Sequence, residues 1–344
     1  MPQRVAFATG RAHEALSAEV ERLGSSRLMV VAAQAEHAIA EAVTTGLPIV
    51  VMHDDVVMHV PVAVAQRARE VAAAHGVDAI VSVGGGSTTG LAKVVALTSG
   101  LPIIAVPTTY AGSEATSVWG LTESSHKTTG VDARVLPRAI VYDATLTASL
   151  PVPLSVASGL NALAHCVDAL WGPRADPIDR AVAGEGIRAL AAGLPAVVDD
   201  PTALAGREQT LYGAYLAGVA FSSAGSGLHH KICHVLGGMF NLPHAQTHAV
   251  VLPHVLAFNA PNAPDATARV AAALGSADAT AGLIALYRRL NAPRALREYG
   301  LADTDIPAAV GPILTAAPAN NPTPVTADAI TRLLRAAWEG AEPT

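Results

Sequence analysis

The chain has 344 residues, 51% of them hydrophobic and only 15% charged, with a formal net charge of −6. That is enough apolar material for two ordinary cores, and it excludes a disordered chain. The acidic balance, with no clustered basic stripe, excludes a nucleic-acid footprint. No apolar run reaches the length of a membrane span, and the opening MPQRVAFATGRAHE lacks a signal-peptide core, so neither a membrane nor secretion is expected. Cys166 and Cys233 form no CxxC pair and fall in apolar helical contexts, which suits reduced thiols in a cytoplasmic protein.

In chain order, RLMVVAA (27–33) and LPIVVMH (47–53) predict buried parallel strands. An alanine-rich helix over 62–76 follows, then a strand over 77–87 that runs into a glycine turn. TTGLAKVVALTSG continues as a helix, LPIIAVPTT (101–109) is the next strand, and AIVYD (139–143) closes the series. Strands alternating with helices predict an α/β domain with a parallel sheet, here residues 1–151. From Pro151–Pro153 onward the pattern becomes helical, predicting an all-α domain over 152–344. Its helices are expected at 155–172, 176–198, 205–222, 228–239, 264–274, 279–290, 293–299, 304–316 and 326–338, with HAVVLP ambiguous between strand and helix.

Two glycine-containing loops carry the first chemical signal. In VSVGGGSTTGLAK, Gly84, Gly85 and Gly86 let the backbone approach a pyrophosphate, and the helix N-terminus beyond them favours negative charge. Ser87 either caps that helix or donates to phosphate. The stretch is not the GxGxxG fingerprint, and a plain structural turn is the competing reading. The second loop, VPTTYAGSEATS, follows the next strand at its carboxyl end, where open parallel sheets bind ligands. Glu114 within it, and Asp143 after the last strand, read as loop organisers.

The second signal is a concentration of histidine. Six of the 13 histidines lie between residues 225 and 254. His230 and His234 are four apart and share a helix face, as do Asn161 and His165. Pro243 interrupts the helical pattern and places His244 at a turn. Buried imidazoles need partners, so packing alone is a poor explanation for this set, which is either a metal cage or a catalytic group. His13, His37, His53 and His75 read as ordinary surface or core residues, and His248 and His254 as structural.

The succession GGGS, PTT…GSE, SGxNALxH and HxxxHxLGxxxxxPH resembles the iron-containing alcohol dehydrogenase superfamily from end to end of the chain. GGGSTTGLAK, PTTYAGSEAT, WGLTE, HHKICHVLGG and NNPTPVT resemble its maleylacetate-reducing branch. The resemblance implies the dehydroquinate synthase-like fold: an α/β domain that binds NADH or NADPH, followed by a helical catalytic domain. It also implies an oxidoreductase acting on a small dicarboxylate in aromatic-compound breakdown, with a homodimer as the expected assembly. In the metal-dependent branch an Asp and three His hold Fe²⁺ or Zn²⁺. Those places fall here on Asn161, His165, His230 and His244, and His234 matches a histidine near the nicotinamide.

Asn161 removes the anionic ligand, although His165, His230 and His244 could still hold a zinc ion; the branch that the chain resembles typically works without metal, so the resemblance implies a metal-free site. Gly90 stands where the metal-dependent branch often has Asp. The resemblance thus assigns catalysis to Asn161, His165, His230, His234 and His244. Cofactor contacts fall to Gly84, Gly85, Gly86, Ser87, Thr108, Thr109, Thr116 and Lys127. Lys231, His229 and Tyr110 are candidates for substrate contact. Ala33, at the end of the strand over 27–33, puts no carboxylate against a 2′-phosphate, so either nicotinamide is expected. The rivals are a metal-dependent alcohol or polyol dehydrogenase on the same fold and a catalytically silent nucleotide-binding protein.

Overall fold

The short β-branched runs of the first 150 residues fold as strands, and the alanine-rich stretches between them fold as helices. The computed structural model, which describes residues 3–123 and 126–343, has there β1 (Arg4–Phe7), α1 (Ala12–Leu23), β2 (Leu28–Val31), α2 (His37–Thr44), β3 (Ile49–His53), α3 (Val62–Ala74) and β4 (Ala79–Gly84). It continues with α4 (Gly86–Ser99), β5 (Ile103–Pro107), β6 (Val118–Glu123), β7 (His126–Val131) and β8 (Ala139–Tyr142). Six strands form one parallel sheet in the order β1-β8-β5-β4-β2-β3, and β6 and β7 form a separate antiparallel hairpin.

Alternation along the strands divides the core between the two sheet faces. Leu28, Val30, Val81 and Val83 pack under α1 and α2, while Met29, Val31 and Ile80 pack with α3 and α4. Gly84 pairs with Pro107, so the loops after β4 and β5 leave the sheet side by side at its carboxyl edge.

The chain divides into two units, Met1–Leu150 and Pro151–Thr344. The second is helical: α5 (Val152–Leu170), α6 (Pro177–Asp199), α7 (Leu204–Ala224), α8 (Leu228–Phe240), α9 (His244–Asn259), α10 (Pro264–Ala273), α11 (Ala279–Leu290), α12 (Ile306–Ala316) and α13 (Ala327–Glu339). Every residue from Ser155 to Leu170 is buried, which makes α5 the central helix, so its few polar side chains need partners. On α8, Leu228, Ile232 and Leu236 recur every four residues and sink into a core with α9, α12 and α13. Each such side chain contributes roughly 1.5–3 kcal/mol on burial. This anchoring turns His230 and His234, two positions out of phase, to the other side of the helix.

Three sequence expectations need correction, and two features went unforeseen, the strand β1 and the β6–β7 hairpin. HAVVLP lies inside α9, so His244 opens a helix and does not sit in a turn. Pro253 is tolerated there because the carbonyl it cannot serve, that of Ala249, accepts the Tyr287 hydroxyl at 2.8 Å. The expected helix at 293–299 is only a short 3-10 turn over Leu296–Tyr299. The strand β1 and the hairpin carry too little apolar periodicity to show in sequence; β1 forms by pairing with the distant β8, and β6 and β7 by pairing with each other. Finally, α6 is long and apolar enough, by length and composition, to cross a membrane. Within the fold it packs against α5 and α7, and its apolar length reflects that packing.

Candidate active site

The loop after β4 needs its glycines for space. Gly84 has φ +151, and a Cβ on it would lie 2.5 Å from Thr88 Oγ1. A Cβ on Gly85 would lie 2.9 Å from Thr109 Cγ2, in the neighbouring loop. Gly85 is the N-cap of the 14-residue α4, and no side chain caps that end. Ser87, expected as a possible cap, instead sits within the first helical turn. Bare glycine backbone at an uncapped helix start, flanked by threonines, fits the pyrophosphate of a dinucleotide. At Gly90 a Cβ would lie 3.2 Å from Val60 Cγ2, so an aspartate there would press on Val60.

The second loop is held from inside. Lys93 is fully buried, and its Nζ donates to Ser113 O at 2.6 Å, Thr116 Oγ1 at 2.9 Å and Val118 O at 2.9 Å. Burial pushes the Lys93 ammonium down to about 7, opposed by Glu114. Glu114 accepts the Tyr142 hydroxyl at 2.7 Å, and Asp143 accepts the backbone N–H of Gly10 at 2.9 Å and of Ala12 at 3.1 Å. Both carboxyl groups therefore organise loops. Thr116 and Tyr110, expected to meet cofactor and substrate, are buried; Thr116 receives Lys93 and Tyr110 donates to Thr147 Oγ1 at 3.2 Å. Their hydroxyl groups serve the loop. Thr108 is buried and Thr109 half-buried beside Gly85. The side chain of Lys127 lies outside the described residues.

In the second unit three helices bring six imidazoles together. Asn161, His165 and Asp168 follow one another along a single face of α5 at spacings of four and three. The ring of His230, from α8, stacks on His165 with centroids 4.8 Å apart and lies 4.3 Å from Phe221 of α7. Its centroid is 4.8 Å from that of His248 on α9, 5.1 Å from His229 and 6.0 Å from His234. His244 and His248, one helical turn apart, have centroids 4.3 Å from each other. Asn161, His165, His229, His230 and His248 are buried, whereas His234 and His244 are half-buried and form the accessible rim. Lys231 is half-buried, one position on from His230 and so about 100° round the helix.

Two members went unrecognised in the sequence. His248, read as structural, is central, and its Nδ1 shares a hydrogen bond of 2.9 Å with His229 Nε2. Asp168 accepts from His230 Nδ1 at 2.7 Å, and its signal was a lone acid three residues beyond His165 in an apolar helix. Burial pushes the Asp168 carboxyl upward, opposed by His229 and by backbone N–H groups. Its hydrogen-bond partners among the described residues are N–H donors, which suit an ionised carboxylate. Burial drives His229 down to about 4, and His248 falls well below the ordinary histidine range for the same reason, reinforced by His244 and its other ring neighbours. Both are therefore neutral at pH 7.

Residues 2–144 match the iron-containing alcohol dehydrogenase family, and residues 155–338 match the C-terminal region of the Fe-containing alcohol dehydrogenase family. The chain belongs to the iron-containing alcohol dehydrogenase family. It is an oxidoreductase. Maleylacetate reductase of Burkholderia cepacia is 44% identical over 343 residues, covering 99% of this chain and 97% of that protein. A crystal structure of an iron-containing alcohol dehydrogenase from Corynebacterium glutamicum has 58% identity and a TM-score of 0.96, covering 98% of this chain and 95% of that one. Maleylacetate reductase from Agrobacterium tumefaciens has 42% identity and a TM-score of 0.92, with coverage of 99% and 97%.

The donor set in this member of the iron-containing family differs at one place from the set a metal-dependent relative would use. Asn161 offers a neutral amide where an anionic ligand would offset the divalent charge. The bond between His230 Nδ1 and Asp168 is compatible with either reading, since a metal-ligating histidine commonly gives its other ring N–H to a carboxylate. Among the described residues, the three side chains whose donor atoms gather within 4.8 Å of one another are His229, His230 and His248. That is not the trio His165, His230 and His244, and within it His229 and His248 already bond each other.

Proposed function

We propose that the chain reduces the carbon–carbon double bond of maleylacetate, giving 3-oxoadipate, with NADH or NADPH and without a bound metal. The observation that carries this reading is the histidine cluster, with Asn161 one turn before His165 on the same face of α5: it supplies hydrogen-bond donors and acids where a metal-dependent relative would need a charged ligand. The near-full-length identity to maleylacetate reductases supports the choice of substrate.

Maleylacetate is a dicarboxylate whose C2=C3 bond is conjugated to the C4 ketone. When bound, the reduced nicotinamide supplies hydride to C2. Negative charge then gathers on the ketone oxygen as an enolate, and preorganised donors stabilise it. Asn161 Nδ2 and His230 are assigned that task, with the carboxylate of Asp168 holding His230 through Nδ1. His244 or His234, on the accessible rim, delivers the proton to C3. Lys231 supplies a cation for one substrate carboxylate. The glycine turn and the start of α4 hold the pyrophosphate, and Thr109 lines it. Buried thiols at Cys166 and Cys233, neither joined in a disulfide, suit a reducing compartment.

The test is maleylacetate-dependent oxidation of NADH and NADPH followed by absorbance. Turnover with both, within about tenfold in kcat/KM, a gap of roughly 1.4 kcal/mol, is expected. Folded protein that binds nucleotide yet leaves maleylacetate untouched, or that reduces simple aldehydes instead, overturns the reading.

A further inference from the structure

We infer that Asp168 is the positioning residue of the histidine cluster, fixing the ring orientation and tautomer of His230 while capping the helix that carries it. The inference rests on the proposed reduction only for its catalytic consequence. Gly227, the N-cap of α8, has no side chain to satisfy the first N–H groups of that helix. Asp168 supplies the missing cap from α5. Its Oδ2 accepts Gly227 N at 3.0 Å, His230 N at 3.1 Å and His230 Nδ1 at 2.7 Å, while Oδ1 accepts Trp171 Nε1 at 3.3 Å.

The fit leaves no room for anything else. A Cβ on Gly227 would lie 2.4 Å from Asp168 Oδ1, so glycine at 227 and the carboxylate at 168 require each other. One oxygen thus binds both the backbone and the ring of His230, and the two cannot move independently. Because Nδ1 must keep its hydrogen to reach Oδ2, Nε2 is the nitrogen that meets the substrate. A half-turn of the ring would keep its plane against His165 but break the 2.7 Å bond to Asp168. A glutamate could restore the bond only imperfectly, since its extra methylene must fit a fully buried site.

Asp168→Asn tests this. Its amide presents either an N–H to His230 Nδ1, which reverses the tautomer, or a weaker neutral acceptor. We expect kcat for maleylacetate to fall by roughly 100-fold or more, with KM for substrate and cofactor changed by less than about threefold. Asp168→Glu should recover part of kcat. Because Asp168→Asn also weakens a helix cap, the wild-type enzyme, labelled with ¹⁵N-histidine, supplies an independent readout. The His230 signals, assigned by their loss in His230→Gln, should show a hydrogen resident on Nδ1. A folded Asp168→Asn enzyme with normal kcat, or a wild-type His230 protonated on Nε2 alone, overturns the inference. Failure of the wild type to turn over maleylacetate would defeat the proposed function while the ¹⁵N result still decided the role of Asp168.

Discussion

The glycine loop of the first unit and the histidine cluster of the second are built by opposite means. The loop is made of backbone, and its specificity lies in what is missing: a Cβ on Gly84 or Gly85 would meet Thr88 or Thr109. The cluster is made of side chains from α5, α7, α8 and α9, and its specificity lies in who bonds whom. A backbone site can be written in a few consecutive letters. A side-chain site assembled from four helices cannot. Damage should therefore take different forms: lost binding at the loop, lost rate at the cluster.

The largest expected effect is at the cluster. His230→Ala, His234→Ala or His244→Ala should each lower kcat by about 10²–10⁴ while cofactor binding is kept. Since the three act on one transition state, double mutants should lose far less than the product of the single losses. Steady-state kinetics on folded variants checks this, and normal turnover in all three would make the cluster structural. His75→Ala, at the end of α3, is the control and should change little.

At the loop the sign of the defect should reverse. Gly85→Val should raise KM for both nucleotides strongly and alter kcat less. Part of its cost comes from Thr109, so adding Thr109→Ala should recover some nucleotide affinity. Unchanged affinity in Gly85→Val, measured by fluorescence titration, would reduce the loop to a structural turn.

A smaller effect sharpens the electrostatic side of the comparison. Burial holds His229 and His254 at about 4 when folded, below the 6.5 of a free histidine. The unfolded chain takes up their protons first, so stability is lost as pH falls from 6.5 towards 4. Thermal unfolding should show that slope. His254→Phe, which removes one of these groups outside the cluster, should make it shallower. An identical slope would mean that His254 does not titrate on unfolding.

What the sequence revealed follows the same division. The alternation of strands and helices, the change near Pro151 and both glycine loops were legible because each depends on local spacing. β1 was not, since RVAF becomes a strand only by pairing with β8. HAVVLP misled because its β-branched run suits a strand, and the Tyr287 hydroxyl that lets Pro253 sit in a helix lies on α11. Asn161, His165, His230 and His234 could be paired by spacing of four. Asp168 and His248 could not be ranked, because their importance comes from contacts across helices. Thr116 and Tyr110 stood in a polar loop motif, and only the buried Lys93 and Thr147 show where their hydroxyl groups go.

On the proposed reading, a neutral Asn161 and a ring of histidines do the work that a metal does elsewhere in the family. Maleylacetate-dependent NADH oxidation, measured before and after exhaustive chelation with metal content followed by elemental analysis, tests it directly. The chelated enzyme, holding far less than one metal per chain, should retain most of its turnover. Activity that vanishes on chelation and returns with Fe²⁺ or Zn²⁺ would contradict it.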